Sequence, residues 1–250
     1  MTAGPGRAKV PHPAMKPTLL ALLLGLPLVA ADQPATKPEA GAEKVAVKAK
    51  AKPADPAMAP IKDVAGLPRV LLIGDSISIG YTLTVRKLLD GKANVHRIPT
   101  NGGPTSNGVA NLATWLGKDK WDVIHFNFGL HDLKIMPGGK RQVEPADYES
   151  NLRALVTELR KTGAKLVFAT TTPVPEGKLA TPRNSADVAL YNQIALKVMT
   201  EHGVAIDDLN AAITPHLAKL QRPHDVHYTA EGSEALGQAV VKSLEKASGK

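Results

Sequence analysis

The sequence predicts a three-layer α/β/α domain in which helices cover both faces of a central, mostly parallel five-stranded sheet. Three observations lead there. Five short runs, at 69–74, 93–98, 121–128, 165–171 and 204–207, read as strands and alternate with helical patterns at 78–90, 107–117, 147–162, 185–202 and 230–247. Alternation at this spacing implies parallel strands with crossover helices on both faces. The run Val70-Leu71-Leu72-Ile73 is apolar throughout, as a strand buried on both sides should be. About 180 residues from Leu67 onward suffice for one such domain with a sizeable core.

Ahead of that domain the chain has a different texture. Residues 18–31 form a short apolar run behind Arg7, Lys9 and Lys16, and the run ends on Val29-Ala30-Ala31. Basic, then apolar, then small residues predict an export signal over 1–31, cleaved on secretion to a periplasmic, surface or extracellular location. The run is too short to span a bilayer comfortably, so no stable membrane insertion is expected after processing. Residues 32–66 are Ala, Lys, Pro and Glu with almost no large apolar side chain. Such a stretch buries too little surface to offset its ordering entropy and predicts a disordered tether. The folded domain is then 67–250.

The first strand stops at Gly74-Asp75, with Ser76 at the stop, and Ile79, Leu83, Val85, Leu88 and Leu89 continue at helical spacing. A serine on this turn projects its hydroxyl from the carboxyl edge of the sheet, where open α/β folds place their ligands. Its own N–H joins the free amides of a helix N-terminus, which favour developing negative charge. Asp75 and Ser76 are also ordinary capping residues. Leu152, Leu155, Val156 and Leu159 give the helix at 147–162 its apolar stripe, and Gly163 stops it. A shorter helical pattern occupies 210–220.

Composition narrows the chemistry. The 250 residues include no cysteine, which excludes disulfides, thiolate metal sites and cysteine nucleophiles. The formal charge of +8 is spread along the chain, with no basic stripe interleaved with aromatics, so no nucleic-acid partner is expected.

Three loops should share the sheet edge with Ser76. Thr100-Asn101-Gly102-Gly103-Pro104-Thr105-Ser106 follows the second strand, and its glycines permit close backbone approach and offer N–H donors. Asn127-Phe128-Gly129-Leu130-His131-Asp132 leaves the third strand with a polar pair. Arg222-Pro223-His224-Asp225-Val226-His227-Tyr228-Thr229 leads into the last helix. There His227 and Asp225 can supply a base and its orienting carboxylate, completing a Ser/His/Asp set. A metal site at His224, Asp225 and His227 is the lesser reading, because a further strong ligand would have to come from elsewhere.

Over residues 69–245 the chain resembles the SGNH (GDSL-type) hydrolase superfamily. The family's first block is matched by Gly74-Asp75-Ser76 and its second-block glycine by Gly103, with Gly102 as the alternative. Its Gly-x-Asn-Asp block lies at Gly129-Leu130-His131-Asp132, and its final Asp/His block at Asp225-Val226-His227. The resemblance implies a flavodoxin-like fold and ester or thioester hydrolysis without a cofactor or metal. It also implies Ser76, Asp225 and His227 as catalytic residues, and an oxyanion hole from the N–H groups of Ser76 and Gly103 with a donor from His131. Two departures stand out. His131 occupies the place of the family's oxyanion Asn, with Asn127 as a competing donor, and the last block is one residue short, with His224 where the acid would stand. Asp132 reads as a loop support.

The polar edge (Asn101, Thr105, Asn107, Arg183, Asn184) and the export signal favour a small-molecule or carbohydrate ester, such as an O-acetylated sugar. A lipid esterase or thioesterase is the runner-up. A glycan-binding module with a defunct site is the rival class.

Overall fold

The structure, a computed structural model, describes residues 55–249. Five parallel strands, β1 (Arg69–Ile73), β2 (Asn94–Arg97), β3 (Val123–Asn127), β4 (Lys165–Ala169) and β5 (Ala205–Asp207), form one sheet in the order β2-β1-β3-β4-β5. Pairing runs Val70 to Val95 on one side of β1 and Val70 to Val123 on the other. The central strands carry the core: Leu72, Ile73, Ile124, Phe126, Val167 and Phe168 are fully buried.

The principal helices are α1 (Ser76–Leu88), α2 (Thr105–Leu116), α3 (Pro145–Arg160), α4 (Ser185–Glu201) and α7 (Ala230–Ser248). On one face α1 packs along α7, while on the other α3 packs between α2 and α4. The pattern at 210–220 resolves into α5 (Leu209–Ile213), a 3-10 turn over Thr214–His216, and α6 (Leu217–Leu220). Pro215 has no N–H to continue an α-helical ladder, which breaks the segment there. No described helix is long and apolar enough to cross a membrane.

The predicted three-layer α/β/α fold is therefore observed, with strand limits within about two residues of those read from the sequence, the usual uncertainty of element ends. One boundary needs correction. The predicted signal segment 1–31, and the tether as far as residue 54, lie outside the described residues. Residues 55–66, however, are packed on the domain. Pro56–Met58 form a 3-10 turn with Ala57 buried, and the Arg86 guanidinium donates to the carbonyls of Pro56 (3.2 Å) and Ala59 (3.1 Å). Asn94, itself buried, accepts from the Val64 amide (2.8 Å) and donates to the carbonyls of Val64 (3.0 Å) and Leu67 (3.2 Å). Of residues 55–66 only Ala57 is buried, and polar pairing with the domain holds the rest of the segment.

The chain crosses from β2 on one side of β1 to β3 on the other. The carboxyl ends of β1 and β3 thus flank a topological switch point, the crevice where open α/β sheets take ligands. Ser76 stands at its lip.

Candidate active site

Ser76 opens α1, two residues earlier than the helical pattern predicts, because the Asp75 carboxylate accepts the Ile77 amide (2.9 Å) and caps the helix at once. The turn is braced from β2. The buried Arg97 guanidinium donates to the carbonyls of Gly74 and Asp75, each at 3.0 Å, and to those of Ile98 and Thr100, each at 3.2 Å. Burial pushes this guanidinium down to about 10. The Ser76 amide has no acceptor among the described residues, as expected of the first N–H of a helix.

The loop before α7 brings the base. Gln221 and Tyr228 pair across it, and Thr229 caps α7 by accepting the Gly232 amide (3.1 Å). His227 is thereby held with Nε2 2.9 Å from Ser76 Oγ and Nδ1 2.7 Å from Asp225 Oδ1. Asp225 Oδ1 also accepts the His227 amide (3.2 Å). Burial works to raise the Asp225 carboxyl, but the hydrogen bonds and charge of His227, with the charge of Arg222, outweigh it and hold the group below its ordinary value. The one-residue-short block therefore still seats a carboxylate on the imidazole. His224 takes a left-handed conformation, φ 53°, which puts the shortening into one residue of strained backbone.

The expected oxyanion donors are arranged less simply. Gly103, at φ 64°, turns its N–H toward the Asn101 side chain, and Asn101 Oδ1 accepts it at 3.0 Å. Gly102 gives its N–H to the Gly74 carbonyl (3.0 Å), so it is committed to the backbone. A Cβ there would lie 3.0 Å from that same oxygen, which is why the position suits glycine. Asn127 is committed as well, since its amide donates to the carbonyls of Ala169 (2.8 Å) and Thr170 (3.3 Å) at the end of β4. His131 has its Nδ1 2.9 Å from Lys134 Nζ. An ammonium only donates, so Nδ1 accepts and the ring proton sits on Nε2. Burial, helped by the charges of Lys134, Arg183 and His227 and opposed by Asp75, holds His131 below its ordinary value and keeps the ring neutral. Nε2 lies 3.9 Å from Asp75 Oδ2, too long for a hydrogen bond.

Asp132, read from the sequence as a loop support, is fully buried and accepts both the amide (2.8 Å) and the hydroxyl of Thr105 at the start of α2. Thr105 is thus inside the protein and not on the substrate edge, which corrects that expectation. Asn107 pins the Gly102 carbonyl (2.8 Å) and Asn184 caps α4, so these too are spent on the scaffold. Asn101 and Arg183 do line the site. Ser76 stands between two cavities: a larger one of about 650 Å³, walled by His131, Lys134, Thr181, Arg183, His224 and His227, and a smaller one of about 210 Å³ beside Ile77, Ile79, Gly80 and Tyr228. Lys134 was not foreseen. Its signal was a basic residue three places after His131, within reach only because the loop turns back on itself.

Comparison with known proteins agrees with the fold. The model of the GDSL-like lipase/acylhydrolase family matches residues 72–235. The fold is similar to that of an acetyl xylan esterase, at TM-score 0.61 and 16% identity over 70% of this chain and 99% of the other. It is also similar to a lipase/acylhydrolase from Enterococcus faecalis, at 0.63 and 21% over 72% and 96%, and to an acetylxylan esterase from Geobacillus stearothermophilus, at 0.59 and 20% over 71% and 94%. No curated protein matches the chain.

Proposed function

Because the chain belongs to the GDSL-like lipase/acylhydrolase family, and is accordingly a carboxylic ester hydrolase, we propose that it is an exported serine esterase working through an acyl-enzyme on Ser76. The observation that carries the reading is the hydrogen-bonded relay Ser76 Oγ, His227, Asp225, with steps of 2.9 and 2.7 Å, at the end of β1. As Ser76 Oγ attacks the acyl carbon, its proton passes to His227 Nε2. Asp225 keeps the opposite ring nitrogen protonated and stabilises the imidazolium. The oxyanion forms against the Ser76 amide, the Gly103 amide and the His131 Nε2–H. To reach Gly103 it takes the place of Asn101 Oδ1, an exchange of one acceptor for a more strongly charged one. The alcohol leaves with the proton from His227, and water completes the cycle by the same path in reverse.

An O-acetylated carbohydrate is the substrate class this site favours. The larger cavity is walled mostly by polar and charged side chains, with Leu179, Ala180, Pro223 and Val226 among them, and two of the similar folds belong to proteins named acetyl xylan esterases. The order of basic, apolar and small residues over 1–31 supports export. Hydrolysis of 4-nitrophenyl acetate tests the mechanism. Ser76→Ala and His227→Ala should each nearly abolish kcat, with the double variant losing little more because the two act as a unit. Full activity in Ser76→Ala rejects the reading, and a strong preference for long-chain esters would move the substrate to lipids.

A further inference from the structure

Two cations on the wall of the larger cavity are not ion-paired, although Asp225 lines the same cavity. Lys134 leaves the loop that carries His131, Arg183 lies just ahead of α4, and the two face each other across a short antiparallel bridge. Both line the cavity that contains Ser76 and His227. Neither Lys134 nor Arg183 has a carboxylate within ion-pair distance among the described residues.

Their hydrogens are only partly spoken for. Arg183 Nε donates to the Leu130 carbonyl (2.9 Å) and Nη1 to that of Thr181 (3.2 Å), leaving Nη2 uncommitted. Lys134 uses one of its three hydrogens on His131 Nδ1. Burial holds both groups below their ordinary values, and Arg183 adds to the effect on Lys134; the charge of Asp75, and for Arg183 that of Asp225, offsets only part. Asp75 is spent capping α1 and Asp225 on His227, while His131 and His224 add no negative charge. Like charges partly stripped of water and left unpaired are a standing cost that a bound anion removes.

The geometry points to an anion subsite in which Lys134 and Arg183 hold a carboxylate on the alcohol portion of the ester, so that the substrate is an O-acylated acidic sugar of uronate type. The inference rests on the esterase reading of the same site. The alcohol side follows from size: the cavity with the cations holds a sugar unit, while the smaller one across Ser76 suits a short acyl group. It goes beyond that reading by assigning a charge to the substrate.

Two matched acetyl esters test it: 4-acetoxybenzoate, with a carboxylate on the alcohol side, and its neutral methyl ester. Calorimetry on Ser76→Ala should show the carboxylate ester bound about ten- to a hundred-fold more tightly than the methyl ester, the usual weight of charge-assisted contacts. Adding 0.5 M salt, roughly enough to screen half-exposed charges, should shrink that preference. Arg183→Gln in the same background should remove most of it and Arg183→Lys should keep part. Lys134→Gln, which drops the charge yet retains an N–H for His131, should lower it independently and covers the case in which Arg183→Gln fails to fold. In the active enzyme the ratio of kcat/KM for the two esters should follow the binding ratio. Equal binding of the two esters, or a preference that survives both substitutions, overturns the inference even if both esters are hydrolysed. A preference for mono-4-nitrophenyl glutarate, whose carboxylate is on the acyl side, overturns it too. If no ester is hydrolysed but the carboxylate still binds in an Arg183-dependent way, the esterase reading falls and the anion subsite stands.

Discussion

In the mechanism proposed above, His131 departs from the family's pattern and still serves the same chemistry. An amide and a neutral imidazole each present an N–H, and here the Lys134 ammonium decides which ring nitrogen carries it. The donor therefore depends on a neighbour that an Asn would not need. His131→Ala should lower kcat on 4-nitrophenyl acetate by about 10²–10³ with little change in KM, the usual loss for one oxyanion donor. His131→Asn should recover only part, because the shorter side chain leaves the donor set back from the place the ring reaches. Retention of nearly full kcat in His131→Ala would leave the oxyanion to the amides of Ser76 and Gly103. Asn127 offers no substitute, since both of its amide hydrogens are used at the end of β4. That Ser76, Asp225 and His227 would meet could be read in the sequence because short motifs mark the ends of elements. The pairing of Asn101 with Gly103, and of Lys134 with His131, could not, because each depends on how a loop folds back on itself.

Between elements, the end of β3 is tied to the start of α2 by one buried carboxylate. Asp132 Oδ1 takes two hydrogen bonds from Thr105, whose hydroxyl also accepts from Asn151 on α3 (3.1 Å), while Oδ2 has no partner. Burial raises the group to about 6, against the partial opposition of the Thr105 bonds. A carboxyl whose folded value lies above its unfolded one binds its proton more tightly when folded. Its contribution to stability is therefore greatest below about pH 4 and falls as pH rises through about 6. Asp132→Asn removes the titration and keeps a carbonyl for Thr105. Compared by urea unfolding, wild type should lose on the order of 2–3 kcal/mol relative to the variant between pH 4 and pH 8. A pH-independent difference would show that Asp132 does not titrate in that window. The apolar strand and the polar pair after it located this junction in the sequence. That Thr105 would turn inward to meet Asp132, instead of facing substrate, depended on the third element, α3, closing over it.

At the scale of the molecule, the alternation of strands and helices was enough to give the sheet, its layers and the edge that bears the site, because buried parallel strands and amphipathic helices write their periods directly into the chain. The domain's beginning was not legible in the same way. Residues 55–66 bury only Ala57, and what seats them is a set of polar partners contributed by α1, β1 and β2, which their own composition does not announce. Asp63 illustrates the point: it lies 2.8 Å from Arg69 Nε and 2.6 Å from His96 Nε2, two residues on different strands. Its carboxyl is raised by burial but held below its ordinary value overall by His96 and Arg69. Exposed pairs of this kind contribute little each. The buried Asn94 contributes more, because losing Val64 would strand its carbonyl and one of its amide bonds. A chain starting at residue 55 is the reference in urea unfolding. One starting at 67 should be less stable by about 1–3 kcal/mol, the cost of leaving a buried amide unsatisfied. Limited proteolysis supplies the second reading: a resistant fragment should begin near Asp55 and not near Leu67. Asp55 also lines the smaller cavity beside Ser76, so the shorter chain should show a raised KM for small acetyl esters along with its lower stability. Equal stability and equal KM for the two truncations would mean that this segment rests on the domain without supporting it.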